Sequence, residues 1–376
     1  MFTSVRVFAV SVVAVVAAVA CTAPQEQAKP TGEAMVAAAD PYAVDAGLEM
    51  LRAGGTAIDA AIAVEVTLGL VEPDSSGIGG GGFLIHYAGN SEKIDAYDGR
   101  EWAPAGATPD MFMVDGKPLP FELAQASGRS IGTPALIPML KLAHEQHGKL
   151  PWAKLFEPAI RLAEEGFTVG PRVSQSLAAN KAMFEQDPEA RSIYLDAAGN
   201  PWPLGHKLKN PAYAKTLRAI AADGPKALTH GAIADAVVSA AQRQPRAGTL
   251  TVSDLQAYQP RRLDPLCGAY RVYQVCTMPS PSSANAMLSI LSLYERARPH
   301  SDGPSTPKAP TVEDWAAFVW ASRLSYVDRD HYMADDRFIE APTKELIAPA
   351  YLDARAKLID LSKGPPVIPV GTPKGD

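Results

Sequence analysis

The sequence predicts an α/β protein, because segments with helical periodicity are followed by short apolar runs of strand character. Pro41–Arg52 and Ala57–Leu70 have the caps and spacing of two helices, and the second is apolar on nearly every face. Phe83–Tyr87 and Lys93–Tyr97 indicate the two strands of a hairpin, of which the first is expected to be buried. With 376 residues, 47% of them hydrophobic, the chain can bury a sizeable core in one large domain or two.

The first 33 residues carry a predicted export signal and a tether. Residues 1–20 contain one arginine and then an almost wholly apolar run, too short to span a bilayer and typical of a signal peptide. Small residues before Cys21, and the polar tether 21–33, resemble a bacterial lipoprotein cleavage site with Cys21 as the lipidated residue. An ordinary signal peptide with an incidental cysteine is the alternative. We therefore expect an exported protein, periplasmic or anchored in the membrane by lipid, with its folded domain at 34–376.

The remaining elements continue the mixture of helices and strands. The predicted segments are a strand at Ala34–Ala39, a helix at Pro134–His147, a second helix ending at Gly166, helices with polar connections through 171–260, a hairpin at Leu263–Met278, and helices at Ala284–Arg296 and Val312–Tyr326.

Two predictions concern the C-terminal part of the chain. The last of these helices carries Trp315, Phe318, Val319 and Trp320, which are expected to form a stripe facing the core. Lys363–Asp376 has four prolines and no hydrophobic period, so we expect it to be mobile.

Charge and composition argue against several classes of partner. A formal net charge of −6 and the lack of any basic run argue against nucleic acid. Three cysteines without a C-x-x-C motif make a zinc or iron–sulfur site improbable. His144 and His147 share a helix face, but no third ligand is near in sequence and both suit the negative helix C-terminus. The residues therefore give no indication of a metal site.

The glycine-rich run Gly77–Gly82 has three possible meanings. It contains G-x-G-x-x-G, but a dinucleotide site needs a strand before the loop and a helix after it, and here the order is reversed. A phosphate-binding loop would continue with Gly-Lys-Ser or Gly-Lys-Thr, which is absent. The remaining meaning is a packing device that brings two backbones close together at a sheet.

Arg100 is the residue best placed to bind a ligand. It follows the predicted hairpin through Asp98-Gly99 and lies shortly before Pro104. A planar guanidinium just past a strand end can bind a carboxylate through two parallel hydrogen bonds. The alternative is a surface salt bridge with Glu101 or Asp98.

A nucleophile is harder to find. Gly128–Gly132 spells the G-x-S-x-G pattern around Ser130, but that motif needs a hydrophobic strand before it and a helix directly after it. The preceding residues make a poor strand, so a glycine-rich loop is favoured. The sequence thus supplies a binding arginine and no catalytic residue.

Longer stretches of the chain resemble the gamma-glutamyltransferase family. The matching stretches include 40–83 with the glycine-rich run, 98–112 (DGREWAPAGATPDMF), 132–167, 223–238, 250–262, 269–283 and 325–338. The resemblance implies an N-terminal nucleophile hydrolase, an αββα sandwich whose sheets are shared with a small subunit. It implies transfer of a γ-glutamyl group from glutathione-like donors to water, amino acids or dipeptides. Arg100 matches the family's arginine for the donor's α-carboxylate. The resemblance implies neither a metal nor an organic cofactor.

The nucleophile of this family is the first threonine of the small subunit, and no such segment occurs here. We therefore expect the chain to be the large-subunit portion of a precursor, inactive and poorly folded when produced alone. Two alternatives stay open: a sister acylase of the same fold, and a truncated, non-catalytic binding or remnant protein.

A disulfide between Cys267 and Cys276 is predicted from the register of the second hairpin. If its turn centres between Arg271 and Val272, the two cysteines lie directly opposite each other. An exported protein meets oxidising conditions. The alternative is a shifted register, because Val272 is unfavourable in a tight turn.

Overall fold

The computed structural model describes residues 34–299 and 309–373. The predicted signal peptide and tether, including Cys21, lie outside the described residues. From Val36 onwards the chain forms one compact unit. No helix in the described part of the chain is long and apolar enough to cross a bilayer.

The helices of the described residues are numbered here in chain order. They are α1 (Pro41–Arg52), α2 (Ala57–Val71), α3 (Phe121–Gln125), α4 (Leu136–His147), α5 (Glu157–Glu165), α6 (Pro171–Ala179), α7 (Lys181–Phe184), α8 (Pro188–Tyr194), α9 (Pro211–Asp223), α10 (Lys226–Thr229), α11 (Gly231–Ala241), α12 (Val252–Ala257), α13 (Ala284–Ala297), α14 (Val312–Tyr332) and α15 (Pro349–Ala356).

The strands are short and mostly paired in hairpins. They are β1 (Gly82–Ala88), β2 (Lys93–Gly99), β3 (Met113–Val114), β4 (Lys117–Pro118), β5 (Phe167–Thr168), β6 (Lys207–Leu208), β7 (Arg261–Leu263), β8 (Leu266–Tyr270) and β9 (Tyr273–Thr277). The main sheet has the order β1-β2-β7 and is antiparallel throughout. β1 is therefore an edge strand among the described residues.

The first two helices begin as the sequence predicts. Asp40 caps α1 by accepting a hydrogen bond from the Tyr42 amide, and Thr56 forms a reciprocal capping box with Asp59 at the start of α2. Such caps satisfy amides that have no partner within the helix. The strongly apolar α2 lies in the core, with Ile62, Ala63 and Val66 fully buried.

The largest apolar core lies against one face of β2. Tyr97 of β2 packs there with buried side chains of α1, α2, α4, α5 and α9. A second cluster joins Leu293 of α13 with Trp320, Ala321 and Leu324 of α14, Leu352 of α15 and Ile368 of the tail. Both clusters lie within the one compact unit.

The expectation that Phe83–Tyr87 is buried is wrong for this chain. Phe83, Ile85 and Tyr87 are 37%, 41% and 59% exposed, although the strand itself forms as predicted. Alternate residues of a strand point to opposite faces of its sheet, and only the face towards α4 is covered. Ala34–Ala39 forms no strand either, because no described strand pairs with it.

The predicted core stripe on α14 is also largely wrong. Trp320 is buried, but Trp315, Phe318 and Val319 are 58%, 46% and 44% exposed. The helix packs instead through a face whose buried residues are Ala317, Trp320, Ala321, Leu324, Ser325 and Asp328.

The tail is held in place rather than free in its described part. Ile368 is buried, and the Gly371 amide donates a hydrogen bond to Asp328 Oδ1 at 2.9 Å. The same buried carboxylate accepts hydrogen bonds from Tyr351 and Arg355. Lack of hydrophobic period therefore did not mean lack of tertiary contacts.

The second hairpin has the predicted register. Cys267 lies directly opposite Cys276, and a disulfide joins them. The turn centres between Arg271 and Val272, and Arg271, not Val272, takes the positive φ of 53°. The residue unfavourable to positive φ is thereby spared it.

Candidate active site

The backbone of Arg100 is fixed directly after β2. Its amide donates a hydrogen bond to Asp98 Oδ1 at 2.9 Å, and its carbonyl oxygen accepts one from the Tyr258 hydroxyl at 3.1 Å. Burial raises the pKa of Tyr258, and the nearby carboxylate of Asp98 raises it further, so the phenol stays protonated as a donor. The side chain of Arg100 itself is exposed.

Asp98 is paired with Arg261 of β7, not with Arg100. Arg261 donates to Asp98 Oδ2 from Nε at 3.1 Å and from Nη2 at 2.7 Å, and it also binds Asp336. Hydrogen bonds from the two carboxylates raise the pKa of Arg261, although its burial acts the other way. The alternative of a salt bridge between Arg100 and Asp98 or Glu101 is therefore not what the structure shows.

The glycine-rich run packs against this turn. A Cβ on Gly81 would lie 2.3 Å from the carbonyl oxygen of Gly99, so no other residue fits there without a shift. The carbonyl oxygen of Gly80 accepts hydrogen bonds from the Ala135 and Leu136 amides at the start of α4. The run thus brings two backbones together at the sheet, and β1 follows it directly.

Arg100 opens onto a cleft of about 570 Å³. The cleft is lined by Arg100–Pro104, by Met111 and Phe112, and by Arg129–Gly132. Within the part of the chain that the structure describes, the Arg100 guanidinium forms no salt bridge, so its donors face the cleft and solvent. An unpaired, exposed guanidinium on a fixed backbone is suited to a carboxylate ligand.

Trp102 forms the wall of the cleft next to Arg100. Its carbonyl oxygen accepts a hydrogen bond from the Thr133 amide at 2.9 Å. Its ring packs 4.9 Å from that of Tyr258, and the guanidinium of Arg337 lies 4.2 Å above its face. Aromatic and cation–π contacts of this kind restrict the rotamer of the indole.

Ser130 lies in the cleft but lacks the surroundings of a nucleophile. It ends a 3-10 turn, Gly128–Ser130, and the short helix α3 precedes that turn where an elbow needs a strand. Its hydroxyl contacts the carbonyl oxygens of Gln125 and Ser127 at 2.9 and 2.8 Å, and no described histidine is hydrogen-bonded to it. A hydroxyl that donates to backbone carbonyls has no base to activate it.

His147 has closer neighbours than the sequence suggested. His86 of β1 and Asp95 of β2 bring three ligand atoms within 4.8 Å, whereas His144 binds the Leu150 carbonyl oxygen. The His86 and His147 rings stack with centroids 3.9 Å apart. Asp95 is already paired with Arg262 of β7, which neutralises the carboxylate that a cation would need. That the chain uses no metal stays a prediction.

Sequence reasoning missed Tyr258, Arg261 and Arg129. The first two act on Arg100 from more than 150 residues away, through pairing of β7 with β2. The doublet Arg261-Arg262 carried a usable signal, because adjacent strand residues point to opposite faces and can pair with acids on both. Arg129 gave no signal of its own, because the G-x-S-x-G pattern around it singles out only Ser130.

The architecture resembles solved structures of one fold class. Gamma-glutamyltranspeptidase of Helicobacter pylori superposes with a TM-score of 0.81 at 28% identity, covering 89% of this chain and 93% of that one. Cephalosporin acylase of Bacillus halodurans gives 0.72 at 26% identity, covering 90% and 63%. The fold is that of the large-subunit portion of an N-terminal nucleophile hydrolase.

Sequence comparison narrows the class to a family. Residues 43–374 match the gamma-glutamyltranspeptidase family model. Glutathione hydrolase proenzyme of Bacillus subtilis (strain 168) is 34% identical over 336 residues, which are 88% of this chain and 55% of that protein. The chain belongs to the gamma-glutamyltranspeptidase family, and it spans about half the length of the curated relatives it matches.

Proposed function

We propose that this chain is the donor-binding part of an enzyme that transfers a γ-glutamyl group from glutathione-like donors to water, amino acids or dipeptides. The observation that carries the proposal is the unpaired Arg100 guanidinium, exposed in the cleft on a backbone fixed by Asp98 and Tyr258. The α-carboxylate of a γ-glutamyl donor matches that planar donor pair. Membership of the family supplies the reaction class.

The nucleophile in this proposal is the first threonine of a small subunit, as in the family that the sequence resembles. Its hydroxyl attacks the γ-carbonyl carbon while its own α-amine accepts the proton. The leaving amine takes a proton as the C–N bond breaks, and a γ-glutamyl ester remains until an acceptor resolves it. The task of Arg100 is to hold the donor so that the γ-carbonyl meets the nucleophile.

The open face of β1 supports a partner at the main sheet. Phe83, Ile85 and Tyr87 expose apolar surface on a strand that is paired along one edge only among the described residues. Such a surface favours aggregation unless another segment covers it. Residues 34–376 produced alone should be inactive and aggregate, and the complete gene product should be soluble and active. A monodisperse, cooperatively melting chain that hydrolyses a γ-glutamyl substrate unaided would contradict the proposal.

Export and lipid attachment at Cys21 are part of the proposal. The apolar N-terminal run and the small residues before Cys21 support them. Labelling cells with a radioactive fatty acid should tag the wild-type protein and leave Cys21→Ala unlabelled. Equal labelling of the two would leave an ordinary signal peptide as the explanation.

A sister acylase is the second candidate, favoured by the likeness to the cephalosporin acylase. The two enzymes differ in the donor they accept. A panel that contains a γ-glutamyl anilide, poly-γ-glutamate and a β-lactam with an acyl side chain separates them. Binding of donors without turnover by the complete gene product would instead indicate a non-catalytic protein.

Arg100→Lys in the complete gene product tests the proposal. Lysine keeps the charge but cannot make two parallel hydrogen bonds to a carboxylate. The expected loss is about 2–4 kcal/mol of transition-state binding, roughly 30-fold or more in kcat/KM for a γ-glutamyl anilide. Arg161→Lys is the matched control, because Arg161 is exposed and paired with Glu49 outside the cleft. Equal kcat/KM values for wild type and Arg100→Lys would show that Arg100 does not bind the donor.

A further inference from the structure

A second arginine, Arg129, lines the same cleft as Arg100 and has no part in the reaction described above. It lies in the Gly128–Gly132 segment, whose serine the structure excludes as a nucleophile. The side chain is half-buried and forms no salt bridge with any residue in 34–299 or 309–373. A half-buried guanidinium without a carboxylate partner is unusual, because its charge is partly desolvated without compensation.

The segment that carries Arg129 is rigidly seated. The Gly128 amide donates a hydrogen bond to the Arg246 carbonyl oxygen at 3.0 Å. A Cβ on Gly128 would lie 1.7 Å from the Ala241 carbonyl oxygen, so the backbones are in direct contact. The position of the Arg129 Cα relative to the cleft is therefore fixed by the main chain.

The guanidinium is also oriented. Its Nη1 donates to the Met111 carbonyl oxygen at 2.8 Å, and Met111 lines the cleft as well. A guanidinium has five N–H donors, so one bond to a carbonyl restricts its orientation and leaves the others for a ligand. This is a pre-organised anion site rather than a freely moving surface arginine.

The charges of the cleft point to a ligand with two anionic groups. Arg100 and Arg129 outnumber the single acidic side chain in the lining, Glu101. A cleft of about 570 Å³ is in the range that holds a ligand of tripeptide size. Arg100 is assigned to one carboxylate of a γ-glutamyl donor, whereas no group of the donor has yet been assigned to Arg129.

We infer that Arg129 forms a second carboxylate subsite, which binds the C-terminal carboxylate of a γ-glutamyl peptide donor. This inference rests on the proposed function, and it names the donor class: γ-glutamyl peptides that end in a free carboxylate. Donors whose far end is neutral lose this contact. Charge-assisted hydrogen bonds of this strength give about a tenfold preference or more for the free acid.

The test compares glutathione with its glycine-amidated form as donors of the complete gene product. For the wild type, kcat/KM should be about tenfold or more higher with the free acid, and rising ionic strength should reduce the ratio. Arg129→Gln should bring the ratio close to one, and Arg129→Lys should keep part of it. Arg100→Lys should lower kcat/KM for both donors by the same factor and leave their ratio unchanged. Arg161→Gln, outside the cleft, should change neither donor.

The outcomes separate the inference from the proposal beneath it. If neither donor is turned over, the proposed function fails and the subsite with it. If both are turned over and the wild-type ratio is near one, the subsite alone is wrong. If Arg129→Gln lowers kcat/KM equally for both donors, the subsite is wrong and Arg129 only positions the loop that contains Met111. If that variant does not fold, the wild-type ratio and its salt dependence still decide.

Discussion

Two aspartates on the single strand β2 carry out different tasks with the same chemistry. Asp95 and Asp98 are both buried, and each is paired with an arginine of β7, Arg262 and Arg261 respectively. The two pairs lie on opposite faces of the sheet, because 95 and 98 differ by an odd number of residues. Asp98 also accepts a hydrogen bond from the Arg100 amide, whereas Asp95 faces the His147 ring at the end of α4.

The role of each buried ion pair depends on the third group that its aspartate contacts. At Asp98 that partner is the backbone of the ligand-binding residue, so the pair fixes the position of Arg100 in the cleft. At Asp95 it is a helix end, so the pair ties α4 to the sheet and contributes nothing to the cleft. Both sites are expected to stabilise the fold, but only Asp98 is expected to affect donor binding.

Asp98→Asn should have the largest effect on stability. It leaves Arg261 partly uncompensated beside a neutral amide, and breaking buried pairs costs about 3–5 kcal/mol in general. Because Asp336 still binds Arg261, we expect the lower end, about 3 kcal/mol in the free energy of unfolding. The kcat/KM for a γ-glutamyl donor should fall about tenfold, because the single amide oxygen of asparagine cannot accept hydrogen bonds from both Arg261 and the Arg100 amide. Denaturant titration and donor kinetics on the same preparation measure both effects.

Asp95→Asn should reduce the free energy of unfolding less than Asp98→Asn does, and it should leave kcat/KM for a γ-glutamyl donor nearly unchanged. Arg262 is 37% exposed and can be rehydrated, so we expect a loss of about 1–2 kcal/mol. Burial alone would raise the pKa of Asp95, but hydrogen bonds and charge from Arg262, with Lys93 adding less, hold it below its usual value. The stabilisation is therefore complete above the unfolded pKa near 3.9 and disappears as the pH falls through the folded pKa. The difference from wild type that is due to this ion pair should be present in full at pH 7 and shrink below about pH 4.

A fall in kcat/KM for Asp95→Asn as large as that for Asp98→Asn would remove the distinction between the two sites. Equal losses in the free energy of unfolding for the two variants would do the same.

Tyr258→Phe should have the smallest effect. It removes one hydrogen bond to the Arg100 carbonyl oxygen and keeps the ring that packs on Trp102. About 1 kcal/mol of stability and a few-fold rise in KM are expected, with kcat nearly unchanged. A fall in kcat at constant KM would assign the phenol a part in the chemical step instead.

The sequence was sufficient for elements whose signals are local. The first helix begins at Pro41 and Thr56 caps the second, both as expected, and the hairpin of β8 and β9 has the expected register, because such signals depend on residues a few positions apart. Arg100 was located from its turn and proline neighbours. That the Arg100 guanidinium forms no salt bridge with Asp98 was not predictable, because Arg261, which pairs with Asp98 instead, is 163 residues away from it.

Burial was predicted less well than secondary structure. An apolar strand and an aromatic helix were both expected in the core, yet Ile85 and Phe318 are 41% and 46% exposed. Hydrophobic pattern shows which residues favour burial, but the covering layer is a property of the whole assembly. The tail was misjudged for the opposite reason, because one buried side chain, Ile368, and one hydrogen bond from Gly371 to Asp328 hold it, and neither produces a hydrophobic period.

The position of the two apolar clusters along the chain sets an order of assembly. Every buried side chain of the first cluster comes from residues 46–228, whereas the second draws on residues 293–368. A chain that has emerged as far as residue 299 contains the whole first cluster and only Leu293 of the second. Chains emerge from their N-terminus and domains consolidate as their residues become available. The first apolar cluster can therefore form while α14, α15 and the tail are still being made.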